Sequence, residues 1–268
     1  MDGRIDSLTN QKIKDTAALA MRRQRQKQGR FVAEGVRLGE MAAASGWPLC
    51  YALYTAELAS TPRGAQLLAT LRQNGCSCYE TSQQAFAKAS VTATPQGILI
   101  VMGQRQQTLA DLPEQERPFY LVLDGLQDPG NVGTIIRTAD AAGADAVLCL
   151  RGTADIYEDK TVRATMGSLF HLPVVNGLTP EDLQNFVTTR GLQLYATALD
   201  STAQPHFACD FTRGTAVVLG NEGNGVSPTV LALAQKCYIP MYGAAESLNA
   251  ATAAAIVTYE AVRQRQFA

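Results

Sequence analysis

Apolar positions along this chain come in two spacings. Short unbroken runs such as Phe119-Tyr120-Leu121-Val122-Leu123 and Ala216-Val217-Val218-Leu219 predict buried strands. Segments with apolar residues three and four apart predict helices. In the first half this reading gives a polar helix over 10–28, then Arg30-Phe31-Val32-Ala33-Glu34-Gly35 leading into a helix over 36–44. Strands follow at 49–54, 76–80 and 97–101, with helices at 61–73 and 83–89. In the second half strands are expected at 119–124, 146–150, 174–175, 192–198, 216–219 and 236–239. Helices are expected between most of them, at 131–142, 159–169, 180–190, 228–235 and 247–265.

Alternating helices and continuous apolar strands predict an α/β fold with a mostly parallel sheet covered on both faces. Between the halves, residues 104–118 combine Gln-rich sequence, two prolines and alternating charge, a linker composition. The expected organisation is therefore an N-terminal α/β domain over 1–103, a linker over 104–118 and a larger α/β domain over 119–268.

Composition narrows the chemistry. No apolar run approaches the roughly 18 residues of a membrane span, and the N-terminus lacks a signal-peptide layout, which together predict a cytoplasmic protein. The six cysteines, at 50, 76, 78, 149, 209 and 237, do not form a zinc or thioredoxin-type spacing and read as buried structural thiols. With only His171 and His206 present, neither a metal site nor a Ser-His-Asp triad is easy to assemble, and His171 reads as a packed or capping residue. The net charge of −1 divides unevenly: residues 1–37 carry nine Lys or Arg against four acids, a balance of +5, leaving −6 for the remainder. Arg22, Arg23, Arg25, Lys27 and Arg30 form the densest part of that excess. They suit either a solvated helix face or a patch that contacts phosphates.

Three stretches carry the candidate chemistry. The strand ending at Asp124 runs into Gly125-Leu126-Gln127-Asp128-Pro129-Gly130-Asn131-Val132-Gly133, then a helix with Val132, Ile135, Ile136 and Ala139 on one face. Asn131 is expected to cap that helix, and Arg137 lies beyond it, free to meet a ligand or to pair with Asp140. The second stretch is Gly220-Asn221-Glu222-Gly223-Asn224-Gly225; the third runs from Ile239-Pro240-Met241 to Ser247-Leu248-Asn249. Glycines let a main chain approach a ligand closely, and Asn or Ser can cap a helix beside it. Neither the dinucleotide fingerprint G-x-G-x-x-G nor a phosphate-loop G-K-[ST] is present.

In order and spacing, Asp128–Asp140, Leu219–Gly225 and Ile239–Asn249 resemble the three motifs of the SpoU/TrmH family, RNA ribose 2′-O-methyltransferases of the SPOUT group. The stretch Arg30–Arg37 is similar, more weakly, to the substrate-binding domain of ribosomal RNA members. The resemblance implies a C-terminal trefoil knot, a homodimer with shared sites, S-adenosylmethionine as methyl donor, no metal, and RNA, in particular 23S rRNA, as substrate. It places Thr197, Gly220, Ile239, Met241 and Leu248 at the cofactor. It places Arg137, Asn131, Glu222, Ser247 and Asn249 at the reaction centre, and adds weight to RNA contact by Arg22, Arg23, Arg25, Lys27 and Arg30. A guanidinium is a poor base, so Arg137 is expected to orient the ribose hydroxyl and stabilise developing charge, with a substrate phosphate sharing the proton. Glu222 either accepts that proton or braces the Gly-rich turn. The competing readings are a tRNA methyltransferase, a non-catalytic RNA-binding assembly protein on the same fold, and a nucleotide-dependent oxidoreductase, the last without its glycine fingerprint.

Overall fold

A computed structural model of the chain describes residues 3–92 and 94–267. In chain order the first elements are β1 (Gly3–Ile5), α1 (Gln11–Ala18), α2 (Arg22–Gln28), β2 (Arg30–Glu34), α3 (Val36–Ala44) and β3 (Leu49–Thr55). There follow α4 (Ala56–Ala59), α5 (Pro62–Gln73), β4 (Ser77–Thr81), α6 (Gln83–Ala89) and β5 (Ile98–Gly103). The second run is β6 (Phe119–Asp124), α7 (Pro129–Ala141), β7 (Ala146–Leu150), α8 (Asp159–Ala164), β8 (Val174–Leu178) and α9 (Pro180–Thr189). It closes with β9 (Gln193–Thr197), β10 (Gln204–Pro205), β11 (Thr215–Gly220), α10 (Pro228–Leu231), β12 (Gln235–Tyr238) and α11 (Ala250–Phe267).

Two compact units result, one of residues 3–105 with 157–170, the other of 106–156 with 171–267. The N-terminal unit is built on a five-stranded sheet in the order β1-β4-β3-β5-β2. Its β5 runs antiparallel to both β2 and β3, while β4 is parallel to its neighbours β1 and β3. Residues 157–170 belong to this unit because their aromatics complete its core. Tyr157 packs on Phe31 with ring centroids 4.9 Å apart, and Phe170 meets Trp47 edge-on at 5.4 Å.

The expected single helix over 10–28 is two helices. Asn10 caps the first through its side chain, and the chain turns at Leu19–Met21 before α2. Arg25 makes that turn possible: its guanidinium donates to the carbonyls of Leu19 at 2.9 Å and Ala20 at 2.8 Å, which the helix break leaves without helical partners. The helix expected over 159–169 also ends early, at Ala164, because Met166 and Gly167 adopt positive φ (50° and 95°) before a short 3-10 turn.

The second unit is a seven-stranded sheet, β10-β12-β9-β11-β6-β7-β8, with every pair parallel. Alternate residues of β6 and its neighbours, among them Tyr120, Val122, Leu148 and Val218, pack against Leu183 and Phe186 of α9. The other face is covered by α7, whose buried side is Val132, Ile135, Ile136 and Ala139, and by α11, which packs on α7. Burial on both faces explains why these strands are apolar without alternation. From β6 the chain winds first toward β7 and β8, then returns to the other side. The C-terminal ends of β6, β11, β9 and β12 thus border the place where strand order reverses, the usual ligand position in such sheets.

Candidate functional site

At those strand ends lies a cavity of about 520 Å³. Thr197 enters from the end of β9, Gly220 from the end of β11, and Ile239, Met241, Ser247 and Leu248 from the chain after β12. The site predicted for a cofactor is therefore assembled in one place by residues far apart in sequence. Thr197 Oγ1 donates to the Val218 carbonyl at 3.2 Å, tying β9 to β11. Gly220 is required by space: a Cβ there would stand 2.1 Å from the Gly225 carbonyl carbon and 2.1 Å from the Val226 nitrogen. Both contacts are backbone, so neither can swing away. Asn221 holds the 221–225 turn closed, its side-chain oxygen accepting from the backbone N–H of Gly223 and Asn224, both at 3.0 Å. The Asn221 amide donates to Gly125 O at 2.8 Å, and Asp124 accepts from Ser227 N at 2.7 Å. Asn221 and Asp124 thus brace the two loops, a role that no motif assigns to them; an Asn flanked by glycines at a strand end is the available signal.

Three of the residues expected at the reaction centre form a chain of hydrogen bonds. Asn249 donates to Asn131 Oδ1 at 3.0 Å, and Asn131 donates to Glu222 Oε1 at 3.0 Å. Glu222 also accepts from the backbone N–H of Gln127 at 3.2 Å and Asp128 at 3.3 Å. Partial burial pushes the Glu222 carboxyl up, but the Asn131 amide and these N–H donors outweigh it and hold the group below its ordinary range. A carboxylate stabilised in its charged form, with its oxygens engaged by three donors, is suited to bracing the turn and ill suited to accepting a proton. Asn249 also caps α11, its Oδ1 accepting from Ala251 N at 2.9 Å, so that this helix begins at Ala250 rather than at Ser247.

Asn131 does not cap α7. The cap is Asp128, which accepts from Asn131 N at 2.8 Å, with Pro129 at the first helical position. An Asp-Pro pair is a stronger helix start than an Asn two residues later, since proline has no N–H to orphan there. Freed from capping, the Asn131 side chain is available to link Glu222 to Asn249.

Arg137 stands apart from this cluster. It is exposed on α7, does not line the cavity, and among the described residues has no hydrogen bond or ion pair. Asp140, its alternative partner, instead lies 3.6 Å from Nδ1 of His171, and His171 is half-exposed rather than packed. In the N-terminal unit Arg22, Arg23 and Lys27 are exposed and Arg30 is partly so. Arg25 is only 3% exposed and is spent on the carbonyls of the preceding turn, which removes it from any surface patch. Among the described residues no group of three or more His, Cys, Asp or Glu converges as a metal site, and no helix is long and apolar enough to cross a membrane.

A parallel α/β sheet with a cavity at its switch point, walled by Ile, Met, Leu and main chain and lacking a dinucleotide glycine pattern, defines a class of α/β domain with room for a nucleoside-sized ligand. The comparisons with known proteins are specific. The profile of the SpoU rRNA Methylase family matches residues 118–259, and that of the MRM3-like substrate binding domain matches 10–100. The chain belongs to the SpoU rRNA methylase family. It is 39% identical to the 23S rRNA (guanosine(2553)-2′-O)-methyltransferase RlmP of Bacillus subtilis, over 95% of this chain and 97% of that protein. It is 34% identical to the 23S rRNA (uridine(2479)-2′-O)-methyltransferase of Streptomyces viridochromogenes, over 93% of this chain and 88% of that protein. The AdoMet-bound rRNA methyltransferase of Sinorhizobium meliloti superposes with a TM-score of 0.89 at 33% identity, covering 100% of this chain and 99% of the other.

Proposed function

We propose that this protein transfers a methyl group from S-adenosylmethionine to a ribose 2′-hydroxyl of RNA, with 23S rRNA as the substrate. The observation that carries the reading is the cavity: five residues expected at a cofactor line it together, beside the Asn249–Asn131–Glu222 chain. An uncharged adenosine suits walls of Ile239, Met241 and Leu248 and the bare main chain at Gly220, so these residues, with Thr197, would hold it. When bound, S-adenosylmethionine supplies a methyl group already activated on a sulfonium.

The chain's own residues then have to hold the ribose and deal with its proton. Asn131 and Asn249 fix the loops that face the ribose, Ser247 contributes a hydroxyl in the cavity wall, and Glu222 braces the Gly-rich turn. Arg137 orients the 2′-hydroxyl and stabilises the charge growing on its oxygen, while a substrate phosphate shares the proton. Because Arg137 lies outside the cavity lining and unpaired, it is best used in trans, which supports a homodimer whose subunits complete each other's sites. A trefoil knot in the C-terminal backbone and action in the cytoplasm belong to the same reading. Ribosomal over transfer RNA is favoured by the match of residues 10–100 to a substrate binding domain. Arg22, Arg23, Lys27 and Arg30 would meet the phosphates.

Calorimetry with S-adenosylmethionine and with NAD, followed by methyl-transfer assays on 23S rRNA transcripts, tests this. Binding of the first ligand only, with Arg137→Ala retaining it but losing at least about a hundredfold in methylation rate, is the expected result. An Arg137→Ala protein that methylates nearly as well as the parent would overturn the assigned role.

A further inference from the structure

The N-terminal unit holds an unexplained buried polar atom. Glu34, the last residue of β2, is only 5% exposed. Its Oε1 accepts from the hydroxyl of Ser90 at 2.7 Å and from that of Thr92. Its Oε2 is buried and, among the described residues, has no hydrogen-bond partner. Leaving an acceptor so placed costs free energy unless something satisfies it. Glu34 also lines a cavity of about 240 Å³, together with Gly35, Arg37, Gln96, Arg163 and Met166.

The other walls supply what Glu34 lacks. Gln96 fixes its amide by accepting from Val36 N through Oε1 at 3.1 Å, which leaves the Nε2 donors without a partner among the described residues. Gly35, at φ 108°, keeps the space for that contact, since a Cβ there would stand 3.0 Å from Gln96 Oε1. Arg37 is exposed and makes no ion pair among the described residues. Arg163 is held by Asp159, at 2.8 Å, with its guanidinium half-exposed. Met166 sits at φ 50°, a left-handed conformation that non-glycine residues rarely adopt and that is found preferentially at ligand-binding sites.

A cavity of this size lies below the roughly 300–1,000 Å³ of drug-sized ligand sites and suits a single base. It offers a carboxyl acceptor beside an amide donor, with guanidinium groups at the edge. One nucleobase presents the matching edge: guanine, with two adjacent N–H donors at N1 and N2 and an acceptor at O6. We infer that Glu34 and Gln96 form a pocket for an unstacked guanine of the RNA substrate, with Arg37 and Arg163 on its phosphates. A guanine N–H held here would supply Glu34 Oε2 with a donor once the carboxyl turns toward it, so the pocket would favour RNA with a guanine splayed out of its stack, the usual form of sequence-specific RNA recognition. This inference rests on the reading of the substrate as RNA. It adds a base-reading site in the N-terminal unit, separate from the cavity proposed for the cofactor.

The test is equilibrium binding of the full-length protein to the pentamers UUGUU, UUIUU and UUAUU, followed by fluorescence anisotropy. UUGUU should bind about tenfold tighter than UUAUU, with inosine, which lacks the N2 amine, in between. Glu34→Gln should erase the preference while keeping affinity for UUAUU and for S-adenosylmethionine. Arg37→Ala should weaken all three pentamers alike. If Glu34→Gln unfolds, Gln96→Ala leaves Glu34 and its hydroxyl partners in place and should still reduce the preference severalfold. Equal binding of the three pentamers by the parent protein, no binding at all, or an undiminished preference in a folded Glu34→Gln variant overturns the inference. Guanine preference without methyl transfer would instead retain the pocket and reject the enzymatic reading.

Discussion

The polar groups beside the two cavities are arranged differently. In the C-terminal unit the side chains beside the cavity are bonded to one another and to nearby backbone: Asn249 to Asn131, Asn131 to Glu222, Glu222 to two N–H groups, Asn221 to its own turn. In the N-terminal unit several cations, Arg22, Arg23, Lys27 and Arg37, are exposed and make no ion pair among the described residues, and two buried carboxyl oxygens, Glu34 Oε2 and Asp159 Oδ1, have no hydrogen-bond partner there. A tightly braced site suits one small ligand of fixed shape, whose binding depends on preorganisation. Unspent charges and an unfilled acceptor suit a long polyanion, whose binding depends on phosphate contacts and a few base contacts. The sheets follow the same division. The all-parallel sheet gathers its cavity-lining residues at one end, while the mixed sheet of the N-terminal unit carries its cavity at the β2–α3 junction.

If the C-terminal site is as rigid as its bonding implies, its glycine cannot be exchanged. Gly220→Ala should cost about 3 kcal/mol in thermal or denaturant unfolding and abolish the heat of S-adenosylmethionine binding. A tolerated alanine would mean that the 221–225 turn yields, and the contrast with the N-terminal unit would weaken. Within the basic segment the same contrast can be sharpened residue by residue. Arg25→Ala should destabilise the protein by about 2 kcal/mol, because one buried and one partly buried backbone carbonyl lose a charged donor. Arg22→Ala and Arg23→Ala should stay within about 0.5 kcal/mol of the parent, yet each should reduce the salt dependence of RNA binding by roughly 0.7 to 0.9 in log–log slope. An unchanged slope would remove that helix from the interface.

A smaller effect concerns pH. Glu222 is held below its ordinary value of 4.5, so the stability it contributes is present above that value and fades as the pH falls through the lowered one. The difference in melting temperature between the parent and Glu222→Gln should therefore be constant from neutral pH to about pH 5 and shrink below it. A gap that widened on acidification would contradict the bracing role. Smaller still is a thiol labelling pattern. Cys149 sits in β7, where burial pushes its thiol up to about 12, and Cys50 alone of the six is not fully buried, so a thiol reagent should modify Cys50 first in the native protein.

Much of this was legible in the chain. Unbroken apolar runs marked β6 and β7 to the residue, and alternating elements implied the parallel sheet. The cavity residues were reachable because glycine and asparagine at strand ends have few other uses. What the sequence hid depends on tertiary partners. Ala17-Ala18-Leu19-Ala20-Met21 contains only good helix formers, and the break there is tolerated because Arg25 compensates the orphaned carbonyls. Arg25 itself reads as one more surface cation among four others. The Asn131 side chain has a purpose that only Glu222 and Asn249, about a hundred residues away, reveal. The gathering of 157–170 into the N-terminal unit depends on Phe31 and Trp47, which no local pattern connects to Tyr157 and Phe170.

If the cavity serves methyl transfer to a ribose hydroxyl, the methyl group must appear on a 2′-oxygen. The direct measurement is incubation of 23S rRNA transcripts with the protein and isotope-labelled S-adenosylmethionine, followed by complete digestion and mass spectrometry of the nucleosides. Label in a 2′-O-methyl nucleoside, lost in Arg137→Ala while cofactor binding persists, is the predicted result. Label on a base, or bound cofactor with no transfer to RNA, would contradict it.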